Sequence, residues 1–330
     1  GNRLISYATF PSPKAIEPIT AISVFKHVIR NCQGARGGGS MDTIAEGLAF
    51  PEGPIAMDDG SIVLVEIARG TLSRVTPDGA IEVIADLGGG PNGAAVGPDA
   101  AVYVCNNGGF TWNDTGGRLV PSGTPDDYSG GRIERVELDT GKVDVLYRES
   151  DGLSLNGPND IVFDAQGGMW FTDLGKSYDT YKDHGAIYYA KSDGSGISRQ
   201  LTHRETPNGI GLSPDENTLY FAETVTGRVW ACAIERPGQL AGGPQAMTLL
   251  AGLPGYQLLD SMAVDAKGNV CVATLVNGGI TTISPDGNEV THLATDDPLT
   301  TNICFGGDAL KTAYITLSSS GRLVSMPWPR

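Results

Sequence analysis

The sequence is poor in soft metal ligands. Its 330 residues include 4 His and 5 Cys, and no CxxC, HxH or HExxH spacing occurs. That excludes finger-type zinc sites and helical zinc hydrolases. No GxSxG run is present, so there is no serine nucleophile elbow. The Gly-rich run Gly88–Gly93 carries no Lys and leads into an apolar run, which excludes a P-loop. Basic charge is scarce as well. Lys and Arg number 23 against 38 Asp and Glu, giving a net charge of -15 and a pI near 4.6. Nucleic acid and anionic membrane surfaces call for the opposite balance. No run approaches the ~20 apolar residues of a membrane span. The cysteines Cys32, Cys105, Cys232, Cys271 and Cys304 are scattered, three of them inside "VYVCN", "VWACAI" and "VCVAT". They read as buried free thiols, which fits a reducing, cytoplasmic location.

Turn residues are abundant: 46 Gly and 20 Pro, many in Pro-Asp-Gly, Asp-Gly and Asn-Gly. They punctuate short apolar runs, the pattern of an all-β chain. One unit recurs six times: a polar segment, an apolar strand, an Asp/Gly-rich turn and a second apolar strand. The copies begin at Pro51, Pro91, Pro158, Pro207, Leu259 and Thr301, at spacings of 40, 67, 49, 52 and 42 residues. Four-stranded propeller blades take about 40–50 residues. The long interval holds "GGFTWNDTGGRLVPSGTPDDYSGG", which reads as an inserted loop. Two stacked sandwiches would explain the strands but not the sixfold recurrence. The expected fold is therefore all-β, a six-bladed β-propeller over residues 41–330, closed by pairing of "GRLVSMPW" with an early strand. Residues 1–40 lack this rhythm and end in Gly-Gly-Gly-Ser before Met41. They read as a leader or N-terminal extension, foreign to the natural chain or packed on the propeller side.

The first strand of each blade lines the central channel, so the leading residues of the six units converge. They are Glu52, Asn92, Asn159 with Asp160, Asn208, Asp260, and Thr301 with Asn302. Each alone is ordinary turn chemistry. Recurrence at one phase, ahead of the same apolar strand, is not. All are oxygen donors, the set that a hard divalent cation takes. Ca²⁺ is expected first, with Mg²⁺, Mn²⁺, Zn²⁺ or Fe²⁺ as alternatives.

The runs "EGLAFPEGPIAMDDG", "GPNDIVFDAQGGMWFTD", "TPNGIGLSPDENTLYFAET", "LDSMAVDAKGNVCVAT" and "TNICFGGDALKTAYIT" occur in that order. Together they resemble the senescence marker protein (regucalcin), gluconolactonase and luciferin-regenerating-enzyme family. The resemblance extends from about Glu46 to the C-terminus, and more distantly to diisopropyl fluorophosphatase. It implies a six-bladed propeller with one divalent metal held by Glu52, Asn159, Asn208 and Asp260. It implies channel-lining or substrate-contacting roles for Asn92 and Asn302. Sugar-lactone members commonly carry a substrate-contacting Arg where this chain has Gly157, so a less polar lactone is expected. Tyr178, Tyr181, Tyr256, Phe110 and Trp112 lie in loops that would form an apolar lid. His184 and His203, in loops between channel units, are candidate substrate contacts.

The activity implied is metal-dependent opening of a lactone or similar small ester. The catalytic residues would be Asp260, orienting water or acting as base, and Asn159, which with Asn208 positions the substrate oxygen. Hydrolysis of a phosphoester or phosphofluoridate, and calcium or ligand binding without catalysis, are the alternatives. The partner is a small molecule, with neither nucleic acid nor membrane involved, and the chain is expected to be a monomer or homodimer.

Overall fold

The structure, a computed structural model, describes residues 41–243 and 247–328. The proposed leader over residues 1–40 lies outside the described residues. Six antiparallel sheets follow one another along the chain. Their innermost strands are Pro51–Ala56, Pro91–Val96, Pro158–Phe163, Pro207–Leu212, Leu258–Val264 and Thr300–Gly306. Each innermost strand packs on the next, and the sixth packs on the first, so the sheets form a closed ring of six blades. The fifth and sixth units start one residue earlier than the recurrence places them.

Burial follows the sequence pattern blade by blade. The second strands, such as Ile62–Glu66, Gly168–Asp173 and Val270–Leu275, read as continuous apolar runs and are buried at every position. An outer strand such as Ile81–Asp86 alternates and is largely exposed. Neighbouring blades share apolar layers. Trp170 of blade 3 packs with Ile210 and Phe221 of blade 4, and Tyr103 of blade 2 packs with Phe171 of blade 3. Truncating a fully buried aromatic such as Trp170 costs about 3–5 kcal/mol. Cys105, Cys232 and Cys271 are free thiols buried in these layers.

The ring closes as expected. Asp42–Glu46 pairs antiparallel with Arg322–Pro327, so blade 6 takes its outer strand from the start of the described chain. This covers an edge that would otherwise stay open.

A second regularity positions the channel mouth. In blades 1 to 4 a polar residue at the end of the second strand grips the connector that leads into the innermost strand. Glu66 accepts from Ala49 N at 2.7 Å, and Asn106 from Gly90 N at 2.9 Å. Asp173 accepts from Asn156 N and Gly157 N, both at 2.7 Å, and Glu223 from Glu205 N at 3.2 Å.

The insertion in blade 2 differs from the loop expected. It contains a hairpin, Thr111–Asp114 paired with Leu119–Gly123. The hairpin reaches blade 6, where Leu119 N donates to Ser319 O at 3.2 Å and Arg118 Nη1 to Ser319 Oγ at 3.3 Å. Trp112 lies 5.0 Å from Phe50 at the head of blade 1, so the hairpin is a strap across the mouth. Its apolar face joins a cluster with Leu258, Leu275 and Leu299 of blades 5 and 6. Apolar side chains available from three other blades explain why a Gly- and Thr-rich segment is ordered.

Candidate metal centre

All six innermost strands carry a register shift next to their leading polar residue: Glu52/Ile55, Pro91/Ala94, Pro158/Ile161, Pro207/Ile210, Leu259/Met262 and Thr300/Asn302. A bulge bends the strand and re-aims a side chain that would otherwise alternate across the sheet. Here it frees the leading residues from the ladder. The residue after the bulged position must also be small in three blades. A Cβ on Gly53 would lie 2.6 Å from Asn92 O, on Gly93 2.4 Å from Asn159 O, and on Gly209 2.7 Å from Asp260 O. The Glu-Gly and Asn-Gly pairs thus place an oxygen donor and let the neighbouring blade approach it.

Blade 3 has Asp160 where those blades have glycine. Its Oδ2 accepts from Ile210 N at 3.2 Å and Met262 N at 3.5 Å, and its Oδ1 from Ile161 N at 3.0 Å. It therefore satisfies backbone donors that the bulges of blades 4 and 5 leave open. The sequence reading noted Asp160 only as the neighbour of Asn159. The signal available was a carboxylate at a phase where glycine recurs.

The structure brings the expected donors together. Asn302 Nδ2 donates to Glu52 Oε2 at 2.7 Å, which Gly53 N also reaches at 2.6 Å. Ser261 Oγ donates to Asn208 Oδ1 at 3.4 Å. Burial, then repulsion from the Asp260 carboxylate, holds the Glu52 carboxyl well above its usual range, with Asp160 adding to the effect and Asn302 opposing it. Burial pushes Asp260 up to about 7, opposed by the Asn208 amide and reinforced by Asp160. Burial likewise raises Asp160 to about 7, against three backbone donors. Three mutually repelling buried carboxyls call for positive charge.

The unpaired atoms say what kind. Glu52 Oε1, Asn92 Oδ1 and Asn159 Oδ1 are buried with no hydrogen-bond partner. All three are acceptors. A buried acceptor without a donor is costly, and a cation removes that cost. No group of three or more His, Cys, Asp or Glu placed to hold a metal occurs among the described residues. Two carboxylates supplemented by amide oxygens form a different, hard-cation set. The channel continues beyond these residues as a cavity of about 250 Å³ lined by all six innermost strands, including Val162, Leu212, Met262 and Ile303.

The other candidates fall elsewhere. Gly157 N donates to Asp173, and a Cβ at Gly157 would lie 2.7 Å from Gly175 O, so its backbone sits flush on the next turn. His184 and His203 lie 5.4 Å apart, His203 within a strand rather than a loop. They line a cavity of about 300 Å³ with Asn156, Tyr188 and Arg199, on blade 3 away from its innermost strand. Tyr178 stacks on Tyr181 at 4.4 Å. Tyr256 is exposed. Phe110 and Trp112 flank the start of the strap. Sequence reasoning missed Lys176, which is buried beneath Phe110.

Comparison with known proteins bears on this arrangement. A family model described as the SMP-30/Gluconolactonase/LRE-like region matches residues 50–319. The gluconolactonase of Zymomonas mobilis is 26% identical over 321 residues, covering 84% of this chain and 79% of that protein. The lactonase drp35 of Staphylococcus epidermidis is 26% identical over 232 residues, covering 69% of this chain and 64% of that protein. A solved gluconolactonase from Xanthomonas campestris superposes with a TM-score of 0.69 at 24% identity, covering 88% of this chain and 91% of that one. A calcium-binding regucalcin from Agrobacterium tumefaciens gives 0.67 at 18% identity, covering 87% and 93%. These two structures share the propeller fold.

Proposed function

The chain belongs to the SMP-30/gluconolactonase/LRE-like family, and from that premise we propose that it is a metal-dependent lactonase acting at the channel mouth. The observation that carries the reading is the set of buried, unpaired oxygens on Glu52, Asn92 and Asn159 beside the raised carboxyl of Asp260. Lactone hydrolysis by the Zymomonas and Staphylococcus relatives, as their names state it, supports the reaction class. Glu52, Asn159, Asn208 and Asp260 would hold one divalent ion, Ca²⁺ by the hardness of the donor set. When bound, such an ion supplies Lewis acidity to an ester carbonyl and counter-charge to its oxyanion.

The chain's own groups do the rest. Asp260 orients the attacking water and takes its proton. Asn159 and Asn208 would position the substrate oxygen, Asn92 would line the channel beside the ring, and Asn302 keeps Glu52 in place through its 2.7 Å hydrogen bond. The strap excludes bulk water from the mouth, which strengthens each electrostatic contact within. The apolar aromatics Phe50, Phe110 and Trp112 favour a ring less hydroxylated than a sugar lactone. No helix among the described residues is long and apolar enough to cross a membrane, and we place the enzyme in the cytoplasm on its free thiols.

Asp260→Asn is the test. It should retain the folded circular dichroism spectrum and lose at least ~100-fold in kcat on the best lactone. Near-normal turnover would remove Asp260 from the reaction. Ion binding by the wild type with no turnover on any lactone would favour a binding protein.

A further inference from the structure

Lys176 is 2% exposed, and no carboxylate lies within ion-pair distance of its ammonium among the described residues. Nζ donates to Gly109 O at 2.6 Å and to Asn107 Oδ1 at 3.4 Å. The rings of Phe110 and Tyr128 stand 4.5 and 5.1 Å away. A backbone carbonyl, an amide oxygen and two aromatic faces only partly replace the lost hydration of an ammonium. Two hydrogen bonds leave one of its three protons without an acceptor among the described residues. Asn107, 1% exposed, adds a second unmet donor beside it, because its Nδ2 is buried without a partner.

Topology places this pair at the heads of the blades that carry Asn92 and Asn159. Asn106 pairs with Pro91, and Asp173 with Pro158, at the heads of blades 2 and 3. Asn107 N donates to Gly90 O at 2.8 Å, so Asn107 lies opposite Gly90, and Lys176, three residues past Asp173, reaches it from blade 3. A Cβ on Gly90 would lie 2.4 Å from Asn107 Oδ1, so that amide rests against the chain two residues before Asn92. Unmet donors thus sit at the head of blade 2, two residues along the chain from the unmet acceptor of Asn92. Pinning the strap to blade 3 would need only a neutral donor toward Gly109 O. The charge remains unexplained by that role.

We propose that Lys176 and Asn107 form an anion subsite, and that the substrate is a lactone bearing a carboxylate on its ring. The proposal rests on the lactone-opening reading and names the substrate class for it. Burial lowers Lys176 to about 8, with Asp173 opposing the shift, so the ammonium persists at neutral pH. The titratable groups around it are Asp173, Tyr178 and Asp183 on its own segment and Tyr128 on the facing one.

The probes are γ-butyrolactone and its γ-carboxylate, assayed with the ion-loaded protein. The readout is the ratio of kcat/KM for the carboxylated over the neutral ring. Wild type should favour the carboxylate by about ten- to a hundredfold, the worth of a charge-assisted hydrogen bond. Lys176→Met should bring the ratio toward one, mainly through KM of the carboxylated ring. The wild-type ratio should also fall as pH rises through 8. A wild-type ratio near one, or a ratio that Lys176→Met leaves unchanged, would overturn the subsite. If no lactone is opened with any ion, calorimetry with the carboxylated ring separates the two claims. Lys176-dependent binding would then keep the subsite while the lactonase reading falls, and absence of binding would remove both.

Discussion

Glu52 illustrates how a single residue can be unfavourable for the fold and still suit the ion site we propose. Its carboxyl is buried beside those of Asp260 and Asp160, and burial is the larger part of what raises its proton affinity. A carboxyl held protonated more tightly when folded than when unfolded stabilises the fold at low pH. For Asp260 and Asp160 that contribution is complete below about 4 and is lost as pH rises through about 7. The metal-free protein should therefore melt at lower temperature at pH 8 than at pH 6. Glu52→Gln removes one member of the repelling set. In metal-free protein at pH 8 it should melt at or above wild type, while its gain in Tm on adding Ca²⁺ should shrink. Calorimetric melts with and without the ion check both signs. A metal-free variant several degrees below wild type would show that Glu52 is held by the fold rather than for an ion. Glu52, Asn159, Asn208 and Asp260 were legible in the sequence because one phase of a repeat carries them. The bracing role of Asp160, and Lys176 altogether, were not. Asp160 meets Met262 across 102 residues, and Lys176 meets Gly109 across 67, separations about which local pattern is silent.

At the scale of the strand, the bulge is the device that turns a repeat into a site. It recurs in all six innermost strands, and it requires a residue without a side chain where neighbouring blades touch. Gly93 is the sharpest case, since a Cβ would lie 2.4 Å from Asn159 O and 2.6 Å from Asp160 Cα. Backbone cannot yield as a flexible side chain does. Gly93→Ala should destabilise by about 1–3 kcal/mol and lower metal affinity, because the shift falls on Asn159. Urea melts and ion titration measure the two effects. Unchanged stability would mean that the blades are less tightly apposed than described. The blades themselves were legible from turn residues and runs of apolar residues at even spacing. The strap was not. Its Gly, Thr and Asp content is that of a loop, and its order comes from partners such as Ser319, 201 residues from Arg118.

The whole molecule is a ring whose closure, channel and mouth have separate origins in the chain. Closure comes from Asp42–Glu46 on Arg322–Pro327, and convergence of donors from the sixfold repeat. The strap at the mouth comes from one insertion that reaches from blade 2 to blade 6. A propeller by itself fixes no function. What singles this one out is a group of buried oxygens with no donors to meet them, at the point where six strands converge. The most direct measurement is proton release on a panel of aliphatic, aromatic, carboxylated and sugar lactones, using protein stripped of metal and then supplied with each divalent ion in turn. The account predicts no turnover without an ion, turnover restored by one or more ions with Ca²⁺ foremost, and weaker use of sugar lactones. Turnover that persists undiminished in stripped protein would contradict it.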